Sequence, residues 1–212
     1  MSPTLREIQR EYLQKAWSRP LRDLEASLPG RWEGGALRFR AFGGACELRP
    51  EEVLLDGEPL DGPEGVLIAL YASQADEEPV RLQPLKAFRQ FRGGMNYQAA
   101  FSQNAERILL PYVPSIQKAK EALIARFDGN LNLDVKRYHF SFTLYPLPKV
   151  PLYYLFNLED EEFPATVTCL FSSNADRFLP VEGLADTAEY TAKRIIALLA
   201  QGSHEPQIRM RS

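Results

Sequence analysis

Three cations stand at intervals of three in the stretch Lys86-Ala87-Phe88-Arg89-Gln90-Phe91-Arg92. Residues three apart share a helix face, so the spacing predicts Lys86, Arg89 and Arg92 side by side on a short helix. Phe88 and Phe91 would anchor the adjacent face. Guanidinium forks match carboxylate and phosphate geometry. Gly93-Gly94 would leave backbone N–H groups open nearby. No acidic residue lies between Lys86 and Ala105, which makes a local positive patch on a chain of net charge −3. Such a patch steers an anionic ligand or partner. Tyr97, just beyond the glycines, joins this candidate binding set. The plainer alternative is a solvated basic face on an anchored helix.

A second candidate is the acidic run Glu159-Asp160-Glu161-Glu162. Asp160, Glu161 and Glu162 could bind a hard cation or supply one acid of a pair. The run lacks the alternating oxygen ligands and the glycine of a calcium loop, so a solvated hairpin turn competes with it. Phe163-Pro164 is expected to tuck that turn against the core.

Other chemistry has little to stand on. The two histidines, His139 and His204, and the two cysteines, Cys46 and Cys169, are scattered, whereas a transition-metal site needs three or four converging ligands. His139 reads as a hydrogen-bonded residue on the polar face of a strand. Cys169 lies within an apolar strand and reads as a buried hydrophobe. There is no GxSxG elbow, Walker loop or GxGxxG fingerprint. We therefore name no catalytic residue, metal site or cofactor.

These residues sit in a chain of 212 with 45% hydrophobic and 25% charged residues, enough to bury a core without disulfide or metal. Two cysteines in apolar runs point to reduced thiols and a cytoplasmic setting. The charge balance argues against nucleic acid, the short apolar runs against a membrane span, and the charged N-terminus against a signal peptide.

Local patterns predict the elements. Ser2-Pro3 starts a first helix with Leu5, Ile8, Tyr12 and Ala16 inside, and a second runs from Pro20 to Ser27. Leu37 to Phe42 alternates as a strand. Gly43-Gly44 is read as a two-residue hairpin loop, both glycines at positive φ. That pairs Phe42 with Ala45, Ala41 with Cys46, Arg40 with Glu47 and Phe39 with Leu48. Val53–Leu55 forms a strand turning at Asp56-Gly57, and Pro63 opens an apolar helix. A longer helix carries Tyr97, Phe101 and Ile108 inward until Pro111 and Pro114 break it, and another carries Ile116, Leu123 and Phe127. Tyr138–Tyr145, Val150–Phe156 and Thr166–Phe171 form a meander whose middle strand is apolar on both faces. A closing helix runs from Val181 to about Ala200, and 203–212 is a polar tail.

From Pro84 to Leu199 the chain resembles family 3786 of the bacterial and archaeal domains of unknown function. The resemblance rests on Phe88-Arg89-Gln90-Phe91-Arg92-Gly93-Gly94 with Tyr97 and Phe101, and on Pro148-Lys149-Val150-Pro151-Leu152. It rests also on Asp160-Glu161-Glu162-Phe163-Pro164, leading to Leu170-Phe171 and Phe178-Leu179-Pro180-Val181-Glu182. The family supplies no catalytic residues. Relatives often carry Asp after the Leu-Phe pair, where this chain has Ser172. Some relatives are fused to a four-cysteine iron–sulphur module of the corrinoid-protein type, which implies a redox or one-carbon context. This chain has no such cysteine cluster.

The expectation is one α+β domain over residues 1–202, with antiparallel strands from an N-terminal hairpin and a C-terminal meander packed by helices. Its expected role is a non-enzymatic accessory or binding domain for a partner protein or small anionic ligand. The alternative, which rests on the resemblance, is a small enzyme or cofactor-handling protein linked to corrinoid or redox one-carbon metabolism.

Overall fold

The computed structural model describes residues 3–132 and 137–202. The expected Ser2 cap, His204 and the tail lie outside these residues. The fold is α+β, and its strands form two antiparallel sheets of five. The first sheet holds β1 (Arg31–Glu33), β2 (Ala36–Ala41), β3 (Gly44–Leu48), β4 (Val53–Leu55) and β5 (Glu58–Pro59) in chain order. The second comprises β6 (Lys86–Ala87), β7 (Asn130–Leu131), β8 (Phe140–Leu147), β9 (Val150–Asn157) and β10 (Thr166–Phe171), in spatial order β6-β10-β9-β8-β7. The doubly apolar β9 takes the centre, as its composition demands. The helices are α1 (Leu5–Trp17), α2 (Leu21–Ser27), α3 (Pro63–Gln74), α4 (Gly94–Phe101), α5 (Val113–Arg126) and α6 (Val181–Gly202). One contiguous apolar core joins both sheets and the helices.

The start of α1 is set by Thr4. Its hydroxyl accepts from the Glu7 N–H while the Glu7 carboxylate accepts from the Thr4 N–H, a reciprocal cap. The buried stripe is Gln9, Leu13 and Ala16. Leu5, expected inside, is exposed.

The hairpin forms, but its loop is Phe42-Gly43, with φ of 48° and 75°. Gly44 belongs to β3. The pairs are Ala41 with Gly44, Arg40 with Ala45, Phe39 with Cys46, Arg38 with Glu47 and Leu37 with Leu48. Each residue of β2 thus meets a partner two places from the expected one. A two-place shift preserves which side chains face the core, so apolar alternation alone does not separate the two registers. Tertiary contacts choose between them. Phe42 is buried, its N–H donates to Pro146 O at 2.7 Å, and its ring packs edge-on against Tyr190 of α6. Those contacts hold a bulky residue at positive φ, where it is otherwise rare.

The stretch from Lys86 to Gly93 is not an α-helix. Lys86–Ala87 pairs with Phe171 and Leu170 of β10, Phe88–Gln90 makes a single 3₁₀ turn, and Phe91 is extended. The Ala87 N–H donates to Gln90 Oε1 at 2.7 Å and closes the turn. Gly93 stands at φ 85°. A Cβ on Gly94 would meet Phe88 O at 2.2 Å, so chain crossing as well as conformation demands glycine there. After α4 the chain widens into a π-turn over Ser102–Glu106 and tightens into a 3₁₀ segment over Arg107–Tyr112. The long helix expected here is interrupted well before Pro111.

Candidate ligand pocket at the edge of the C-terminal sheet

The edge strand β6 is two residues long, so it pairs with β10 only at Leu170 and Phe171. Beyond Ala87 the chain turns away and leaves the preceding part of β10 without a strand neighbour on that side. An unpaired backbone N–H there needs another acceptor. Glu106, at the end of the π-turn, supplies it: the Cys169 N–H donates to Glu106 Oε1 at 3.0 Å.

A pocket of about 240 Å³ opens in this gap. Its polar lining is Arg89, Gln98, Glu106 and Thr168, with Cys169 beside them, and Phe88 and Phe101 form its apolar wall. The wall is rigid for a stated reason. Phe88 stacks on Phe101 with centroids 4.3 Å apart and planes 5° apart, and both rings contact Phe171 of β10. Phe91 meets Phe171 edge-on at 5.7 Å. Buried aromatic contacts of this kind are worth about 0.5–1.5 kcal/mol each beyond area burial. They fix the one-turn segment from which Arg89 projects.

The predicted cluster is thus rearranged. Arg89, exposed like Arg92, lines the mouth of the pocket. Arg92 is exposed and lies outside the pocket lining. Lys86 sits on the edge strand with Nζ 5.1 Å from the centre of the Phe91 ring. The three do not share a helix face. They do share a lack of counter-charge: among the described residues none of them has a carboxylate within ion-pair distance.

Tyr97 is 43% exposed and faces a different groove. That groove, of about 230 Å³, is lined by Tyr97, Asn104, Glu182, Asp186 and Glu189. Burial raises the Asp186 carboxyl above its ordinary range, and Glu189 and Glu182 add to the effect. Tyr97 is therefore neither a core residue nor a companion of the arginines.

The acidic turn is separate again. Asp160 Oδ1 accepts the N–H groups of Glu162 at 2.9 Å and Phe163 at 2.8 Å. Those bonds, that of Phe163 first, hold the Asp160 carboxyl below its ordinary range. Its charge is used by its own turn, while Glu161 and Glu162 are exposed. Phe163 does not tuck in; it is 66% exposed. His139 Nδ1 accepts the Leu158 N–H at 3.2 Å, a structural use. Among the described residues no group of three or more His, Cys, Asp or Glu is placed to hold a metal ion.

Both cysteines are free and buried. Burial pushes the Cys169 thiol well up, and the Glu106 charge adds to it. Across the sheet Cys169 stands opposite the buried Tyr154, and the thiol and the hydroxyl interact. Ser172, at the position after the Leu-Phe pair, is buried with an unpartnered hydroxyl.

Sequence reasoning missed Gln98, Glu106 and Thr168. A lone Glu at the end of an apparently helical run carries no signal, because its role depends on where a two-residue edge strand stops. Lys149 was also missed as a polar core group. It is 6% exposed, and its Nζ donates to the carbonyls of Asp76 and Glu78 at 3.0 and 3.2 Å. Desolvation pulls its pKa down.

Two depressions of more than twice this volume are less suited to a site. One, of about 680 Å³ between α5 and the end of α6, has mainly alanine and leucine walls with Lys118 and Arg126 at hand. The other, of about 670 Å³, lies between the sheets at Arg31, Arg38 and Arg40, and Arg38 and Arg40 are already engaged.

The model of the family described as Domain of unknown function (DUF3786) matches residues 21–194, which takes in the N-terminal hairpin as well as the stretch from Pro84 onward. No curated protein and no solved structure matches the chain.

Proposed function

The chain belongs to the DUF3786 family, and we propose that it is a binding domain for a small anionic ligand, held at the pocket beside Arg89. The observation that carries this reading is an uncompensated cation at a gap in a sheet. Arg89 lines a pocket with polar walls, and neither it nor the neighbouring Lys86 and Arg92 has a carboxylate partner among the described residues. A guanidinium next to a fixed aromatic wall is suited to a carboxylate or phosphate.

Binding is favoured over catalysis because the thiol at the pocket, Cys169, is buried within β10. A pocket lined by Arg89, Arg92 and a carboxylate would have favoured an enzyme, but Arg92 is outside. The two buried free cysteines support a reducing, cytoplasmic setting. No helix among the described residues is long and apolar enough to cross a membrane.

The test is a thermal-shift and titration series with propionate and inorganic phosphate. It compares the native protein with the Arg89→Gln/Arg92→Gln double variant. Saturable stabilisation of the native protein, lost in a double variant that still folds, is expected. Equal responses of the two proteins would move the anion site elsewhere.

A further inference from the structure

The pocket beside Arg89 holds a second charge that an anion alone does not use. Glu106 lines the same cavity. One of its oxygens, Oε1, accepts the Cys169 N–H. The residue makes no ion pair among the described residues, with Arg89 or with any other cation. A cation and an anion therefore share one small cavity without neutralising each other. Each would gain from a counter-charge delivered by a ligand, and the gain is larger in a partly enclosed site than in water.

We infer that the ligand is a small zwitterion of amino-acid size, its carboxylate held by Arg89 and its ammonium group by Glu106. This rests on the anion-binding reading above and adds the second charge to it. Size supports the class: about 240 Å³ lies below the ~300–1,000 Å³ typical of drug-sized sites. A single small metabolite fits where a nucleotide does not. The wall chemistry agrees. Thr168 can donate or accept through its hydroxyl, and the Gln98 amide can present either end after rotation about its last torsion. The Gln98 Oε1 now has no hydrogen-bond partner and is buried. That end of the amide gains nothing from its present orientation.

The position of Glu106 also has a local cause that a merely solvated glutamate would not need. The π-turn over Ser102–Glu106 adds a residue to the helical path, a feature frequent at functional sites. It delivers the carboxylate to the edge of β10, where one oxygen serves the strand. The cap alone requires an acceptor and not a charge, so a glutamine would serve it as well. This separates the two roles of Glu106 experimentally.

The probes are L-alanine, which carries both charges, propionate, which carries the negative one, and ethylamine, which carries the positive one. Affinities are measured by NMR titration on native protein, Glu106→Gln and Arg89→Gln, with melting temperature as a check on folding. The inference expects alanine to bind at least ten-fold more tightly than propionate or ethylamine. Glu106→Gln should retain its fold and lower alanine affinity at least ten-fold, without weakening propionate. Arg89→Gln should abolish binding of both carboxylates. If propionate binds as tightly as alanine in the native protein, the zwitterion inference is overturned, and Glu106 is a strand cap while the anion reading stands. If native protein binds none of the three, and phosphate also fails, the anion reading falls and this inference with it. Should Glu106→Gln unfold, the native three-probe comparison decides alone.

Discussion

Two sets of arginines in this molecule carry the same charge and have opposite fates. Arg40 reaches from β2 to the far end of α5. Its Nε stands 2.8 Å from Asp128, and its Nη2 donates to the carbonyls of Arg126 at 2.7 Å and Gly43 at 3.1 Å. Arg38 is shared between Glu33 and Glu47, and Arg126 and Arg194 both lie near Asp56. Arg38 braces the first sheet internally, and the pairs of Arg40, Arg126 and Arg194 tie that sheet to the second half of the chain. Lys86, Arg89 and Arg92 make no ion pair among the described residues, and Lys86 only covers the nearby Phe91 ring. The difference teaches that an arginine cluster is informative by what it lacks. Where carboxylates and carbonyls are already engaged, the cation is structural. Where the fold holds the backbone rigidly and leaves the guanidinium unpaired beside a cavity, charge is left over for a ligand.

The largest effect that could break this contrast is at Arg40. Arg40→Met removes three polar contacts and leaves Asp128 without its cation. Hydrogen bonds to charged groups contribute about 1.5–3 kcal/mol, and half-exposure reduces this to roughly 1–2 kcal/mol. At ~2–4 °C per kcal/mol for a chain of this size, calorimetry should show a clear fall in Tm. No change would mean that Arg40 is as free as Arg89.

A comparable or smaller loss is expected from Gly43→Ala. Gly43 has φ 75°, and a Cβ would approach Arg126 Cγ at 3.0 Å. An L-residue in that region costs about 1–2 kcal/mol, read as a lower urea midpoint. Stability unchanged by the substitution would contradict the loop at Phe42-Gly43.

The acidic turn sharpens the comparison from the other sign. Asp160 has its pKa lowered by two backbone N–H groups. Its folded value lies below its unfolded one, so its contribution is present above about pH 3.9 and fades as pH falls through the folded pKa. Asp160→Asn should therefore lower stability at neutral pH, converge with the native protein below the folded pKa, and so flatten the acid limb of a stability-against-pH curve. An unaltered acid limb would show that the turn does not depend on the charge.

The smallest effect belongs to the free cluster. Arg89→Gln/Arg92→Gln should keep stability within about 0.5 kcal/mol of native, as for ordinary surface sites. Unfolding of this variant would class the two arginines with Arg40.

How much of this could be read in the sequence depends on the range of the interactions involved. The meander was legible because Phe140, Phe142 and Leu144 alternate with Ser141, Thr143 and Tyr145, a purely local period. The turn at Asp56-Gly57 was legible for the same reason. The hairpin register was not, since alternation is indifferent to a two-place shift and Phe42 answers to Tyr190 and Pro146, far along the chain. The Thr4-x-x-Glu7 cap is a local pattern too, but the reading of the first helix started at Ser2-Pro3 and did not consider it. The i, i+3 spacing of Lys86, Arg89 and Arg92 suggested a helix, but the segment is bound into a sheet edge, and the crossing at Gly94 forces it to turn. Half of the pocket was therefore visible, as Arg89. The other half, Gln98, Glu106 and Thr168, comes together only because β6 stops at Ala87.

The measurement that bears most directly on the central claim is an NMR titration of the native protein with propionate, observing arginine Nε–H and backbone amide signals together. The account predicts saturable shifts at Arg89 Nε–H and at the Cys169 and Thr168 amides, with Arg40 and Arg38 unmoved. Shifts at Arg40 or Arg38 with Arg89 silent would contradict it and place the anion between the two sheets.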